Sequence, residues 1–379
     1  MKRAARPDGY LVLLLVVAAA GLSLCAAGLF VAPRATLAGW LMMAVFLLGL
    51  PLGAMTLLMV HGLTGGRWGD ALRPPLRAAV ATLPVALLLM LPVLARPDLV
   101  LPWAGADTTA LTEVARQKLT YLNVPFFVVR FIACALVWLA LAWLVLGWTA
   151  PGSERVASRP GGGYAIGLVA HGFAVTVFAI DCMMSIEPDF YSTIYAMLEA
   201  AAEVVGVCGL ALAVLSAGRA IESAPGGEED VALGEDLANM MFGFMLIWAY
   251  LAFMQWLVVW GGDLPGEIHW YVIRGRNGWQ YLLWLLIALQ FALPFAGFLN
   301  RSVKRSRVGL IGLGALLLTG HFADVAWRIR PPLSALGAGV SWLDLAAIAG
   351  AGGIWCGCFV YVWTRPDRIA VWRGRPARG

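Results

Sequence analysis

Ten long apolar segments, joined mostly by short polar connections, constrain this chain more than any other feature of its sequence. Each is close to the roughly 20 residues that a helix needs to cross a bilayer. Their predicted bounds are 10–31, 37–60, 78–94, 124–148, 164–183, 194–215, 237–259, 278–299, 308–326 and 342–363. Because spanning segments of this length satisfy their backbone hydrogen bonds as helices, the sequence predicts an all-α integral membrane protein. We expect about ten transmembrane helices in a single polytopic domain over 1–379.

Composition agrees with a membrane domain. The chain is 61% hydrophobic and 13% charged, whereas soluble domains carry about 25% charged residues. No connection is long enough to form a soluble domain, so the function is expected within the membrane or in holding partners. The net charge of +5 gives no reason to expect a nucleic-acid partner, because in a membrane protein it is the placement of Lys and Arg that carries information.

The placement of cations predicts the topology. Both termini and the loops on their side of the membrane hold 18 of the 27 Lys and Arg residues, and the opposite loops hold 8. Cytoplasmic loops carry an excess of Lys and Arg. The pattern therefore predicts cytoplasmic termini, with residues 187–189 on the opposite side.

Ionisable side chains within the apolar segments, or at their ends, are the candidate functional residues. Such groups cost about 2.5–3.5 kcal/mol each at mid-bilayer on insertion scales. Together they predict a proton pathway with two halves. The inner half leads past His171 to Glu203, and the outer half leads from Glu199 to the opposite side of the membrane. The proton pathway candidates are His171, Asp181, Glu199, Glu203, Asp263, His321 and Asp324.

Glu199 and Glu203 are the sharpest of these candidates. Their i, i+4 spacing puts both on one face of a helix, and Glu203 is close to mid-membrane by count. Two neighbouring, desolvated carboxyl groups are not expected to ionise together. Arg130, inside the fourth segment, is expected to form a structural ion pair with one of the buried acids, and it is the candidate for a cation that holds these two glutamates. The alternative is that all of these residues are salt bridges that join helices.

The sequence predicts no metal ligands. The six cysteines lie mostly inside apolar segments, and the neighbours Cys356 and Cys358 fall on different faces of a helix. His171 and His321 differ by roughly 10 Å in expected depth at 1.5 Å per residue, which does not suit bis-histidine haem ligation. We therefore expect no covalently bound or metal-ligated cofactor in this chain.

One stretch carries a resemblance to a known family. "AIDCMMSIEPDFYSTIY" (179–195) fits a pattern that resembles the ActF-type membrane subunit, also described as quinone-binding subunit 2, of alternative complex III. Other pieces of the chain, between about 61 and 332, are also similar to that subunit and occur in the same order as they do there. Among them are "HGLTGGRWGDALRPPLR", before this stretch, and "FADVAWRIRPPL", after it. Asp189 stands where the pattern has histidine, so a protonation role is not carried over to it. The motif residues are Asp181, Met184, Ser185, Pro188, Phe190, Ser192, Thr193, Ile194 and Tyr195.

The resemblance implies a fold as well as a function. In the wider NrfD or polysulfide-reductase membrane-subunit family, two four-helix bundles are related by a pseudo-twofold axis, with one extra helix at each end of the chain. Here 37–183 and 194–326 would be the bundles, and 10–31 and 342–363 the peripheral helices.

The implied function is that of a membrane subunit in a respiratory quinol:cytochrome c oxidoreductase of a bacterial inner membrane. It would contribute a proton pathway, quinone-site shaping or scaffolding, and a quinone or quinol is the small molecule it could meet. Haem and iron–sulfur clusters are expected on partners. These are a multihaem cytochrome c, an iron–sulfur subunit, a paralogous NrfD-like subunit and, in some complexes, a terminal oxidase, all embedded among lipids.

Two alternatives stay open from the sequence. Ten spans with buried carboxylates would also suit a proton-coupled secondary transporter, although the Gly and Pro breaks of discontinuous binding helices are not paired between the halves. The other alternative is a purely structural docking subunit whose acids are inert bridges.

Overall fold

A computed structural model describes residues 7–105, 109, 111–150, 161–217, 228–334, 339, 341–367 and 369. Over these residues the regular structure is helical and no strand is present. The helices are Pro7–Val31 (α1), Pro33–Thr64 (α2), Arg67–Ala81 (α3), Leu83–Leu88 (α4), Leu91–Ala95 (α5), Glu113–Gln117 (α6), Val124–Trp148 (α7), Gly161–Cys182 (α8), Tyr195–Ala217 (α9), Glu228–Gly262 (α10), Pro265–Arg274 (α11), Trp279–Leu286 (α12), Leu293–Leu299 (α13), Arg301–Lys304 (α14), Arg307–Leu333 (α15), Trp342–Ala347 (α16) and Gly353–Thr364 (α17).

Ten helical stretches in the described residues are long and apolar enough to cross a membrane. Each overlaps one of the ten predicted segments, so the all-α, multi-pass membrane fold is confirmed. Two of them contain π-helical turns: Ile287–Ala292 joins α12 to α13 in the eighth span, and Ile348–Gly352 joins α16 to α17 in the tenth.

The third span begins earlier than predicted and is interrupted. It starts at Arg67 rather than at 78, and it consists of α3, α4 and α5. Pro84 and Pro92 stand within the first two positions of α4 and α5. Proline lacks the amide hydrogen that a continuing helix would need, which explains breaks that hydropathy alone does not show.

The ninth span extends well past its predicted end at 326. Helix α15 continues to Leu333 and includes Arg328 and Arg330, which are only 1% and 6% exposed. Both were expected to be loop cations, as was Arg274, which is also 1% exposed. Three of the eight cations assigned to that side are therefore buried, because each has acidic or carbonyl partners inside the protein.

The helices pack as two groups that meet along α2, α9 and α15. Helices α2, α3–α5, α7 and α8 pack together, and α9 and α15 pack with α10 and with the eighth span. Helix α2 is the most enclosed span of the described chain, since α9 and α15 contact it as well as its own group. The terminal spans α1 and α16–α17 pack against each other and on the first group. We call these groups the first and second bundle.

A close contact between α9 and α15 in the second bundle depends on glycine. A Cβ atom added to Gly209 of α9 would lie 2.7 Å from the carbonyl oxygen of Gly314 in α15. One added to Gly314 would lie 2.7 Å from the carbonyl oxygen of Gly209. Real Cβ contacts are longer, so the two backbones approach as closely as they do because neither residue has a side chain, as small residues commonly permit in membranes.

We therefore expect Gly314→Val to destabilise the protein by about 1–3 kcal/mol or more, because overpacking must push α9 and α15 apart. The measurement is the midpoint of thermal unfolding in detergent. Gly312→Val is the matched control: it lies on the same helix, and a Cβ there meets nothing within 4 Å. Equal midpoints for the two variants would contradict this account of the packing.

Candidate functional site

The interior of the second bundle holds a group of buried polar side chains. Glu199 and Glu203 lie one turn apart on α9 and are 1% and 0% exposed. Helix α15 contributes a histidine, an aspartate and an arginine, and the eighth span contributes a glutamine. We call this group the second-bundle cluster; its members are Glu199, Glu203, Gln290, His321, Asp324 and Arg328.

Arg328 is the cation of this cluster. Its Nη1 donates to Glu199 Oε2, and its Nη2 donates to Asp324 Oδ2 at 2.7 Å. The cation that pairs with Glu199 is therefore Arg328 and not Arg130, which was the candidate from the sequence. The sequence missed Arg328 because it follows the last apolar residues of the ninth segment, where a loop cation is the ordinary expectation.

Glu203 and His321 face each other across a glycine of α2. A Cβ atom built on Gly49 would lie 3.2 Å from Glu203 Cγ and 3.5 Å from His321 Nε2, so the two side chains flank the same point. The ring of His321 also packs on Phe46, with centroids 5.3 Å apart. Neither oxygen of Glu203 and neither ring nitrogen of His321 has a hydrogen-bond partner within the described part of the chain. Such groups are rare in native interiors.

Gln290 is a cluster member that the sequence analysis did not single out. It is 0% exposed, stands in the π-helical turn of the eighth span, and packs against Gly320, the residue before His321 in α15. Both polar atoms of its amide lack a partner among the described residues. The available sequence signal was a polar amide inside the largely apolar segment 278–299. Because this side chain carries no charge, it was not among the ionisable candidates.

The first bundle contains its own ion pair. Arg130 of α7 donates to both oxygens of Asp181 in α8, at 2.7 and 3.1 Å, and also to the carbonyl oxygen of Tyr121 at 2.9 Å. The predicted structural ion pair of Arg130 is therefore present, and its partner is Asp181. The candidate Asp181 thus belongs to the first bundle, whereas the Glu199 it was grouped with pairs with Arg328.

His171 lies in the first bundle at a different depth from His321. Its Nε2 is 2.9 Å from the hydroxyl of Thr56 in α2, and its ring stands near Trp138. Thr56 is seven residues from Gly49 along α2, which corresponds to about 10 Å of helix. The two histidines are therefore separated along the membrane normal, with α2 packed against both.

The motif stretch 181–195 connects the first bundle to the second, since it runs from the end of α8 to the start of α9. Ser185 Oγ donates to the carbonyl oxygen of Asp181 at 2.6 Å, and Met184 is buried beside it. Ser192 Oγ donates to Gln255 of α10 at 3.3 Å, whereas Thr193 is exposed. The membrane face that carries residues 187–194 is called the motif face below.

Three contacts tie the motif face together. Lys118 donates to the carbonyl oxygen of Pro188 at 2.5 Å, and Thr112 donates to the Asp189 carboxylate. Glu187 forms an ion pair with Arg274 at 2.6 Å. Burial raises the pKa of the Glu187 carboxyl above its usual range, and the Arg274 guanidinium acts in the opposite direction.

Arg274 links the motif face to the second-bundle cluster. Besides its pair with Glu187, its Nη2 donates to the carbonyl oxygen of Arg328 at 2.6 Å and its Nε to that of Trp327 at 3.2 Å. A series of contacts therefore runs from the partly buried Glu187 through Arg274 to the main-chain carbonyl oxygen of Arg328, whose guanidinium pairs with Glu199. The cluster is thereby connected to one membrane face.

Asp263 does not join this series. It is exposed and adopts a left-handed backbone conformation (φ 49°) in the turn between α10 and α11. Helix α10 continues to Gly262 and so carries this residue beyond the apolar part of the span. Asp263 was predicted to lie on the outer half of the pathway, and its exposed position leaves it outside this series, in which Glu187 is the residue at the motif face.

Within the described residues, no group of three or more His, Cys, Asp or Glu side chains could hold a metal ion. No protein-family model matches the chain, and no curated protein matches it. Function must therefore be inferred from the buried polar side chains and from the motif at 181–195.

Proposed function

We propose that this chain is a membrane subunit of a bacterial respiratory quinol:cytochrome c oxidoreductase of the alternative complex III type, and that it carries protons part of the way across the membrane. The observation that carries the proton role is Glu203, a fully buried carboxyl group with no hydrogen-bond partner among the described residues. The resemblance at 181–195 supports the assignment to such a complex.

The charges of the second-bundle cluster favour proton binding. The guanidinium of Arg328 pairs with Glu199 and Asp324, and Glu203 stands one turn from Glu199 as a third carboxyl. If all three were ionised, the cluster would carry more negative than positive charge in a poorly solvated interior. Neighbouring carboxylates disfavour each other's charged forms, so taking up a proton relieves this imbalance.

A purely structural role explains the ion pairs but not Glu203. Arg130 with Asp181, and Arg328 with Glu199 and Asp324, are arrangements that a docking subunit would also use to join helices. Glu203 joins nothing by hydrogen bonding in the described chain. An unpaired buried carboxyl costs stability, and that cost is understandable where the group exchanges a proton.

The proposed route has two halves that meet at Glu203. From the side of the termini it passes His171 and Thr56. Toward the motif face it leads from Glu199 to Glu187, beside Arg328 and Arg274, whose guanidinium groups do not exchange protons themselves. Electrons would travel through haem and iron–sulfur centres of partner subunits. Quinol would be oxidised where this chain, or a paralogous subunit, meets those centres.

The test of this assignment is purification of the full chain, through an affinity tag, from membranes of its native cell. We expect haem- and iron-containing partners to co-purify, and we expect the preparation to reduce cytochrome c with a quinol. The isolated chain is expected to show no such activity. A chain that purifies alone and monodisperse, and that transports a solute without responding to quinone analogues, would favour the transporter alternative.

The proposed orientation gives a separate prediction. With both termini in the cytoplasm, a reporter enzyme that is active only outside the inner membrane should be inactive when it follows Gly379. The same reporter inserted in the 187–189 turn should be active. The opposite pattern would reverse the topology and the direction of the two half-paths.

A further inference from the structure

Besides Glu199 Oε1 and Arg328 Nε, six polar atoms in the second-bundle cluster have no partner in the described chain. They are both carboxyl oxygens of Glu203, both ring nitrogens of His321, and the amide oxygen and nitrogen of Gln290. All three residues are 0% exposed. Leaving a buried polar group unsatisfied costs about 1–3 kcal/mol, and ordered water is the usual partner of such groups.

The three side chains come from three helices that meet at glycines. Gly49 of α2 separates Glu203 from His321, and Gly206 of α9 faces the His321 ring. Gly320 of α15 faces Gln290, with an added Cβ only 2.9 Å from the Gln290 Cα. Because Gly49 and Gly206 have no side chain, Glu203 and His321 approach each other closely, and Gln290 lies against the residue that precedes His321 in α15.

The π-helical turn accounts for the placement of Gln290. A π-helix inserts one extra residue per turn relative to an α-helix, and such turns occur frequently at functional sites. The turn Ile287–Ala292 interrupts a largely exposed span, and Gln290 is its buried member. A regular α-helix would rotate the following residues of the span relative to α15.

We propose that Gln290 is a positioning residue that holds buried water beside Glu203 and His321, so that Glu203 exchanges its proton with this water. The inference rests on the proposed proton role of Glu203, and it adds the ligand class, water, and the residue that orders it. Gln290 is suited to this task because its amide both donates and accepts hydrogen bonds and does not itself titrate.

The experiment compares Gln290→Met and Gln290→Ser with the wild type in the purified complex. The first readout is the infrared C=O band of Glu203 as a carboxylic acid, identified by its loss in Glu203→Gln. In Gln290→Met this band should move to higher wavenumber, because the carboxyl loses hydrogen bonding to water. The second readout is proton uptake, which should fall about tenfold, the equivalent of one lost hydrogen bond.

Gln290→Ser is the rescue variant, because it leaves room for another water and keeps a hydroxyl. It should retain proton uptake close to that of the wild type. Gln255→Met is the control: Gln255 is 2% exposed but has protein partners in Ser192 and Tyr271, so its loss should lower stability without moving the Glu203 band.

The outcomes separate this inference from the proposed function. An unshifted band with wild-type uptake in Gln290→Met overturns the inference alone. Failure of both Gln290 variants to assemble, or equal loss of uptake in both, shows a packing role and overturns it as well. Absence of any band that depends on Glu203 also overturns it. Wild-type proton uptake in Glu203→Gln would instead overturn the proton role itself.

Discussion

Arg328→Met is expected to prevent stable assembly of this protein. The substitution keeps an unbranched side chain but removes the guanidinium that pairs with Glu199 and Asp324, and it leaves two carboxyl groups without a cation in a fully buried site. Breaking a buried ion pair by removing one partner costs about 3–5 kcal/mol. The measurement is the yield of folded, detergent-extracted protein together with its thermal midpoint.

The control is Arg305→Met at the opposite membrane face. Arg305 forms an ion pair with Glu235 at 2.5 Å, but its side chain is 46% exposed, and exposed pairs contribute little. We expect this variant to resemble the wild type. Neutralising both carboxyl partners, in Arg328→Met/Glu199→Gln/Asp324→Asn, should recover part of the lost yield. A stable Arg328→Met single variant would contradict the view that the guanidinium is needed to hold the two acids in the interior.

Hydropathy was sufficient to predict the ten spans, since each apolar segment is long enough to require a helix across the bilayer. It could not place the end of α15, because Arg328 and Arg330 are stabilised by partners that lie far away in the sequence or beyond the span. Arg328 pairs with Glu199 of α9, and Arg330 with Asp344 of α16. Hydropathy averages the polarity of neighbouring residues in the sequence, so it does not take account of partners on other helices.

Pairing of the buried charges was only partly predictable. The sequence indicates that Arg130 needs an acid, but the choice between Asp181 and the glutamates depends on how α7 and α8 rotate toward each other. The i, i+4 relation of Glu199 and Glu203 was predictable because it is a property of one helix. Packing between helices decides which of the two is paired. Glu199 pairs with Arg328, whereas Glu203 has no hydrogen-bond partner among the described residues.

Gln290 shows a further limit of sequence reasoning. Its burial depends on a π-helical turn, and no periodicity assigned to segment 278–299 would reveal one extra residue in the turn. The three glycines that face Glu203, His321 and Gln290 are likewise uninformative by themselves, because glycine is common throughout this chain. Their meaning comes from the atoms that an added Cβ would meet.

Glu203→Gln is expected to leave assembly intact while proton uptake by the complex falls by at least about 10-fold, since a positioned acid–base group contributes roughly 10²–10⁴-fold to proton transfer. The amide has nearly the same shape as the carboxyl, and the substitution breaks no ion pair, because Glu203 forms none with the described residues. The measurement is the rate of proton uptake during quinol oxidation in sealed vesicles, with cytochrome c reduction recorded in the same sample. Addition of an uncoupler distinguishes lost proton movement from lost turnover.

Glu199→Gln provides the sharpest comparison, because it lies one turn away on the same helix and differs in having a partner. It removes the carboxylate that receives Arg328, so it should reduce assembly more than Glu203→Gln does. Glu113→Gln, at an exposed residue of α6, should change neither assembly nor proton uptake.

If Glu203→Gln assembles and retains wild-type turnover and wild-type proton uptake, the proton role is wrong, and the second-bundle cluster joins helices without moving protons. If assembly fails in Glu203→Gln as it does in Glu199→Gln, Glu203 acts as a structural residue, since an amide of the same shape could then not replace it.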